Sequence, residues 1–151
     1  MSRRTAGWGP AWAWVLLALW VCVIWGHSMV PAQGSDAESL AVVGVVRRLF
    51  ELLGVTDVHV MNHVVRKAGH FCEYLVLGLL AVNALRPRWE GCRERLVPTL
   101  VLGAFVPIVD ETIQVFVPGR AGMPADVLLD MSGFAVALAA IIATRGVSPS
   151  G

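Results

Sequence analysis

The chain has 151 residues, of which 56% are hydrophobic and 15% are charged, and its mean hydropathy is +0.67. An ordinary soluble domain carries about 25% charged residues, so this composition argues against a soluble enzyme and also against a disordered chain. The formal net charge of +1 offers no basic excess to neutralise phosphates, which excludes general nucleic-acid binding. The composition therefore predicts a small membrane protein.

Four segments are long and apolar enough to cross a bilayer. A hydrocarbon core about 30 Å thick needs roughly 20 helical residues at about 1.5 Å each. This criterion predicts spans at residues 8–26, 66–85, 96–115 and 125–144. The first span contains no charge, whereas each of the others reaches this length only by including polar side chains near one end. We predict an all-α membrane protein whose residues 1–151 form one transmembrane domain.

An amphipathic helix is predicted between the first and second spans, at residues 39–53. Charged residues in this segment separate apolar residues that recur at helical spacing: Leu40, Val43, Val46, Leu49, Phe50 and Leu53. Such a pattern is typical of a helix that lies on a membrane surface. The predicted fold is thus four transmembrane helices plus one extracytoplasmic surface helix.

The arginines next to the spans predict the orientation of the chain. Basic residues are held on the cytoplasmic side during insertion, so Arg3 and Arg4 place the N-terminus inside. The connection at residues 86–95 contains four arginines, and Arg145 follows the last span. Both termini are therefore predicted to be cytoplasmic. In an alternative interpretation, the first apolar run is a secretory signal that is cleaved after the span.

Strongly polar residues of the last three spans fall at one depth. With the orientation above, they lie in the extracytoplasmic halves of these helices. An ionised side chain that faces lipid costs about 2.5 to 3.5 kcal/mol, so these residues should face one another or water. We predict one polar pocket open to the outer leaflet. Its candidate ligand-binding residues are Arg66, Lys67, His70, Glu73, Tyr74, Asp110, Glu111, Gln114, Arg120, Asp126 and Asp130.

The formal charges of this predicted pocket do not balance. Five acids face three fixed cations, which leaves −2 before histidines are counted. We expect Lys67 or Arg120 to contact Asp110 or Glu111 and to offset part of this excess. A polar cluster that only fixes which helices pack together is the alternative to a ligand site.

Two rows of residues on the fourth span are expected to contact other helices. Asp126, Asp130, Gly133 and Ala137 form one stripe at helical spacing. A second row of small residues predicts a close approach by a neighbouring helix, at Ala135, Ala139 and Ala143.

Three blocks of the sequence resemble the VanZ family. Residues 67–78 match that family's pattern K-x-x-H-F-x-E-Y-x-x-L-G, residues 110–120 match D-E-x-x-Q-x-F-x-P-G-R, and residues 126–133 match D-x-x-x-D-x-x-G. His27 and Ser28 are similar to the serine-rich exit of the family's first helix. The resemblance implies a small protein of the bacterial inner membrane, associated through the family's namesake with tolerance of the glycopeptide teicoplanin.

Three classes of function remain open for the predicted pocket. Binding is favoured, with the bilayer as surroundings and with a lipid-linked cell-wall intermediate or a glycopeptide as partner. An enzyme acting on a lipid-linked substrate is the second, although no known catalytic motif is complete. A proton-coupled transporter is the third. His70 and Glu73 with Asp110 or Glu111 offer metal ligands, but His70 is the one histidine well placed for this, so neither a metal nor a cofactor is predicted.

Overall fold

The computed structural model of the protein describes residues 9–85 and 93–146, apart from the side chains of residues 93–95, 142, 145 and 146. The described residues form five α-helices and no strand. These are α1 (Ala11–Ser28), α2 (Ala32–Leu52), α3 (Val58–Leu85), α4 (Arg93–Val115) and α5 (Pro124–Gly146). Segments of α1, α3, α4 and α5 are long and apolar enough to cross a membrane. The predicted fold class, all-α with four spans, is confirmed.

The amphipathic helix is present as α2 and is longer than the predicted segment. It begins directly after Pro31, whose fixed φ suits the first helical turn. At its other end Gly54 takes a positive φ of 79°. The Gly54 amide donates to the Glu51 carbonyl at 3.0 Å, and the Val55 amide donates to the Phe50 carbonyl at 2.9 Å. This pair of bonds is a Schellman motif, which terminates the helix.

Helix α3 begins eight residues before the predicted second span. The Asp57 carboxylate accepts a hydrogen bond of 2.8 Å from the His59 amide and so caps the first turn. The helix has 28 residues, about 42 Å at 1.5 Å per residue, which exceeds a hydrocarbon core about 30 Å thick. The helix therefore extends beyond the segment predicted to cross the bilayer.

The helices alternate in direction, so the bundle has two distinct ends. At one end, called here the α2 end, α1 and α4 finish while α3 and α5 begin. Helix α2 packs antiparallel against the first part of α3, and the Ala32 amide donates to the Pro118 carbonyl at 3.3 Å. Helix α3 contacts each of the other four helices, which makes it the centre of the bundle.

Glycines let α3 and α5 pack side by side with their backbones close together. A Cβ on Gly133 would lie 2.4 Å from the Phe71 carbonyl oxygen, and one on Gly78 would lie 2.8 Å from the Phe134 carbonyl oxygen. Real side chains do not tolerate such distances, so both positions require glycine. This is the most extensive helix contact of the bundle. It fixes the register of α5 against the polar residues of α3.

The outcome differs for the two rows of residues predicted to contact other helices. Asp130, Gly133 and Ala137 are buried, as expected for the first row. The second row was interpreted wrongly, because all three alanines, Ala135, Ala139 and Ala143, are exposed. Small residues permit close packing without requiring it, and the glycines provide the contact here.

The basic residues that predict the orientation fall outside the described part of the chain. Arg3, Arg4 and the start of the first predicted span at Trp8 precede it, and the connection at residues 86–92 interrupts it. The structure describes no side chain for the remaining arginines of this prediction: Arg93, Arg95 and Arg145.

Candidate functional site

The residues predicted to form the pocket all lie toward the α2 end of the bundle. They separate into two groups with different surroundings. The first is a set of oppositely charged or hydrogen-bonded partners that are partly exposed, called here the peripheral pairs. The second, called here the deep cluster, consists of three buried acids, Asp110, Glu111 and Asp130, and the partly buried His70.

Two of the peripheral pairs involve the cations at the start of the predicted second span. The Lys67 ammonium donates to the Asp126 carboxylate, which joins α3 to the first turn of α5. The Arg66 guanidinium donates to the Asp36 carboxylate of α2 at 3.4 Å. Asn62 reinforces this contact, since its amide donates to Asp36 at 3.3 Å. Each cation thus links two helices.

A third peripheral set surrounds His27 at the end of α1. Its Nδ1 lies 2.9 Å from a carboxylate oxygen of Glu73, and its Nε2 lies 3.0 Å from one of Glu38. When both carboxylates are ionised, both ring nitrogens must donate and the imidazole is cationic. His27 therefore connects α1 with α2 and α3 through one side chain.

Arg120, in the turn between α4 and α5, caps the end of α1. Its Nε donates to the Val30 carbonyl at 2.9 Å and its Nη2 donates to the His27 carbonyl at 3.3 Å. Burial lowers the pKa of this guanidinium, and the nearby Arg66 adds to the effect. Arginine is effectively always protonated, so Arg120 still presents a positive charge to the end of the helix, where cations are favourable.

The Asp110 carboxylate of the deep cluster is held by two donors. The Ser28 hydroxyl donates to its Oδ1 at 2.5 Å, and the Gln114 amide donates to its Oδ2 at 3.2 Å. All three side chains are buried. The last residue of α1 and the last turns of α4 are thereby joined around one carboxylate.

The other carboxylates of the deep cluster are incompletely satisfied. Glu111 accepts a 2.8 Å hydrogen bond from the Met123 amide at its Oε2. Its Oε1, both oxygens of Asp130 and the Tyr74 hydroxyl are buried without a hydrogen-bond partner among the described residues. His70 Nδ1 lies 3.6 Å from Asp130 Oδ1, beyond hydrogen-bond distance. Several buried oxygen atoms therefore lie close together without a hydrogen-bond partner among the described residues.

An open groove of about 210 Å³ lies between α2 and α3. Its lining combines polar and apolar residues: His27, Ser35, Glu38, Ser39, Val42, Val65, Arg66, Gly69 and His70. It thus borders members of the peripheral pairs and, in the deep cluster, His70 but none of the three carboxylates.

Comparison with known proteins gives one match. The chain matches the VanZ/LLP1 family over residues 13–145, which is nearly its whole length. It belongs to that family. No match was found among curated proteins or among solved structures.

The three blocks that resemble the VanZ family meet in the folded VanZ/LLP1 chain. Residues 67–78 lie on α3, residues 110–120 end α4 and continue into the next turn, and residues 126–133 begin α5. Each block contributes at least one member of the deep cluster. The cluster is therefore assembled from segments that are far apart in sequence.

Some contacts expected from the sequence are not formed. Lys67 and Arg120 were expected to contact Asp110 or Glu111, which was wrong, because Lys67 pairs with Asp126 and Arg120 binds backbone carbonyls. Opposite charge and similar depth do not specify which side chains face each other. Helix rotation decides this, and the glycine contact between α3 and α5 sets that rotation.

Sequence reasoning also missed four polar residues of this region. Ser28 and His27 were noticed only through the family resemblance, although they end the first span at the depth of the other polar residues. Asp36 and Glu38 lie in a segment that was not predicted to be helical. The signal that could have placed both acids is Pro31, which marks the start of α2.

Proposed function

We propose that this VanZ-family protein binds the polar head group of a cell-envelope amphiphile in the groove between α2 and α3. The observation that carries the proposal is the position of the groove. It lies beside the amphipathic helix α2, and the partly buried, polar His70 is among its lining residues. A molecule with an apolar tail and a charged head meets both environments there.

The size of the groove favours a head group over a whole glycopeptide. Sites for drug-sized ligands enclose about 300–1,000 Å³, and this groove has about 210 Å³. A glycopeptide antibiotic is much larger than a typical drug. A lipid-linked cell-wall intermediate, whose polar part enters while its tail stays in the bilayer, fits the volume better.

The charges in the groove suit a zwitterionic group. Arg66 is a donor for phosphate oxygens, and Glu38 is an acceptor for an ammonium group. Val42 and Val65 provide apolar contacts between them. Both charged side chains already have partners on neighbouring helices, so a ligand would share them and would not need to displace a buried ion pair.

The exposed face of α2 supports contact with a membrane surface. Ser35, Ser39 and Val43 are its buried residues, whereas Val45 and Leu52 are 84% and 85% exposed. Apolar side chains on the uncovered face of an amphipathic helix favour the boundary between head groups and acyl chains. With both termini cytoplasmic in a bacterial inner membrane, this surface is that of the outer leaflet.

In this proposal, glycopeptide tolerance is a consequence of binding. In the predicted orientation, the groove would hold its amphiphile on the outer side of the membrane. The association with tolerance comes from the family's namesake. We propose that occupation of the groove changes the access of the antibiotic to the bound intermediate.

A variant that fills the groove tests the proposal. Gly69 lines the groove, and a Cβ added there meets no atom within 4 Å. The Gly69→Leu variant should therefore fold normally while its side chain occupies the ligand space. Gly44→Leu is the matched control, because a Cβ at Gly44 of α2 also meets no atom within 4 Å and Gly44 does not line the groove.

Two readouts follow from this pair of variants. Short-chain phosphatidylethanolamine is titrated into the full-length protein in nanodiscs, and Gly69→Leu should weaken its binding by at least about tenfold, or 1.4 kcal/mol. Growth in teicoplanin should fall in cells that carry Gly69→Leu and stay unchanged with Gly44→Leu. Equal binding by wild type and Gly69→Leu would contradict the proposal.

A membrane-embedded enzyme acting on a lipid-linked substrate is the second candidate. The proximity of the His70 imidazole to buried carboxylates favours it, because such groups can exchange a proton with a reacting molecule. The serine next to this cluster does not favour a serine nucleophile, since the Ser28 hydroxyl donates to Asp110. Release of a product from a labelled lipid-linked precursor by the purified protein would favour the enzyme over the binding protein.

A further inference from the structure

Four potential metal ligands come together in the deep cluster from three different helices. His70 lies on α3, Asp110 and Glu111 lie on α4, and Asp130 lies on α5. One nitrogen or oxygen atom of each lies within 4.8 Å of the corresponding atoms of the others. Glu73, which the sequence suggested as a ligand, instead contacts His27, and the fourth member of the cluster is Asp130.

The hydrogen bonding of Asp130 and Glu111 favours a metal site. Asp130 is 0% exposed and Glu111 is 5% exposed, yet three of their four carboxylate oxygens lack a hydrogen-bond partner among the described residues. Leaving one buried polar group unsatisfied costs about 1–3 kcal/mol, and more for a charged group. Acids in such positions are normally paired or coordinate a metal.

The nearby cations are engaged elsewhere. Lys67 pairs with Asp126, Arg66 pairs with Asp36, and Arg120 donates to two backbone carbonyls at the end of α1. Three carboxylates therefore meet one imidazole in the deep cluster. A single divalent cation would offset most of the negative charge of these carboxylates.

We infer that the deep cluster is a binding site for a divalent transition-metal ion, Zn²⁺ or Mn²⁺, with His70, Asp110, Glu111 and Asp130 as its ligands. One imidazole with several carboxylates is a donor set for these ions, whereas Mg²⁺ and Ca²⁺ prefer oxygen donors alone. A tetrahedral ion with bonds of about 2.0–2.2 Å holds its ligand atoms roughly 3.4 Å apart. The present atoms all lie within 4.8 Å of one another, so binding requires them to close in on the ion.

The surroundings of the cluster match those of a metal site in two further respects. Ser28 and Gln114 donate to Asp110 and fix its orientation, which is the usual role of the residues behind a metal ligand. His70 also lines the groove between α2 and α3, so one of the four ligands can be approached from the surface. The metal site does not depend on the identity of any head group bound in that groove.

Metal content of the full-length protein tests the inference. The protein is purified in nanodiscs without a histidine tag, stripped with a chelator, dialysed against Zn²⁺ or Mn²⁺ in excess Mg²⁺, and analysed by mass spectrometry of the elements. His59 and His63 are exposed and lie four residues apart on α3, a spacing that binds Zn²⁺ adventitiously. The protein with His59→Ala and His63→Ala is therefore the reference, called wild type in this experiment, and all variants are made in it.

The expected result is about one ion per chain, the stoichiometry of a single closed site. Asp130→Asn and Glu111→Gln should each weaken binding by at least about tenfold. Glu73→Gln is the matched control, because Glu73 lies one turn from His70 but pairs with His27, and it should bind as the wild type does. For Mn²⁺, electron spin-echo spectroscopy should show a directly bound nitrogen that is lost in His70→Ala.

Two results would overturn the inference. One is a wild-type protein that retains less than about a tenth of an ion per chain, a result that does not depend on the folding of any variant. The other is equal loss of metal in Glu73→Gln and Asp130→Asn, which would indicate nonspecific attraction to acids. Protons shared among the carboxylates would then explain the cluster.

Discussion

The peripheral pairs and the deep cluster contain the same kinds of side chains but satisfy them differently. In the peripheral pairs, each cation meets a carboxylate of another helix, and the side chains remain partly exposed. In the deep cluster, three buried carboxylates surround the partly buried His70, and Glu111 and Asp130 keep oxygens without a hydrogen-bond partner among the described residues. The side chains of the first group satisfy one another, whereas the second group has buried oxygens that a bound cation would satisfy.

This difference separates stability from function within one polar region. A satisfied pair between helices fixes their packing and stabilises the fold when both partners are present. An unsatisfied buried acid opposes folding, so its presence is better explained by a ligand than by stability. Predictions about single substitutions can distinguish the two roles.

The largest effect on stability is expected at the contact where α5 packs against α3. In Gly133→Leu the new side chain meets the Phe71 carbonyl, because even a Cβ there would lie 2.4 Å from that oxygen. We expect a loss of about 3 kcal/mol, the upper part of the range for overpacked positions, together with loss of the deep cluster's geometry. Unfolding in mixed micelles measures this loss. Ala139→Leu, at an exposed position of the same helix, should cost much less.

Substitutions of two acids on α5 should have opposite outcomes in metal-free protein. Asp126→Asn leaves Lys67 without its partner and should cost about 2 kcal/mol, less than a fully buried pair because both side chains are partly exposed. Asp130→Asn removes a charge from an acid-rich site and should leave the unfolding free energy unchanged or raised. Thermal unfolding measures both effects. Equal losses of stability in the two variants would contradict the distinction between the peripheral pairs and the deep cluster.

Removing the hydroxyl that donates to Asp110 should have a smaller effect on stability, and the size of this effect depends on the burial of the hydroxyl. Ser28→Ala removes a 2.5 Å hydrogen bond to a buried carboxylate and should cost about 1.5 kcal/mol. Ser132→Ala on α5 is the control, because that hydroxyl is exposed and donates only to the Leu129 carbonyl. A loss of stability as large in Ser132→Ala as in Ser28→Ala would contradict the interpretation.

The smallest effect on stability is expected at the Arg66–Asp36 pair, which is partly exposed and held by a long contact. Arg66 and Asp36 are 3.4 Å apart, with side chains 36% and 44% exposed. Arg66→Gln should therefore cost about 0.5 kcal/mol or less, as exposed ion pairs do. Binding of phosphatidylethanolamine should nevertheless weaken in this variant if Arg66 contacts the head group. A large loss of stability would indicate that the pair is structural.

Hydropathy and motif spacing determined the coarse features of this protein. An apolar helix long enough to cross a bilayer is specified locally, because backbone hydrogen bonds must be satisfied within each segment. The four spans and the surface helix could therefore be predicted without a structure. The three polar blocks also predicted which residues lie toward one end of the bundle, since depth follows directly from position along a helix.

Only the tertiary structure decided which of these residues face each other. Depth does not determine rotation about the helix axis, and the rotation of α5 depends on where Gly133 and Gly78 allow backbone contact with α3. That contact directs Asp126 to Lys67 and brings Asp130 to His70. The sequence alone therefore determined an acid-rich polar region at one end of the bundle, and long-range packing divided it into satisfied pairs and an unsatisfied buried cluster.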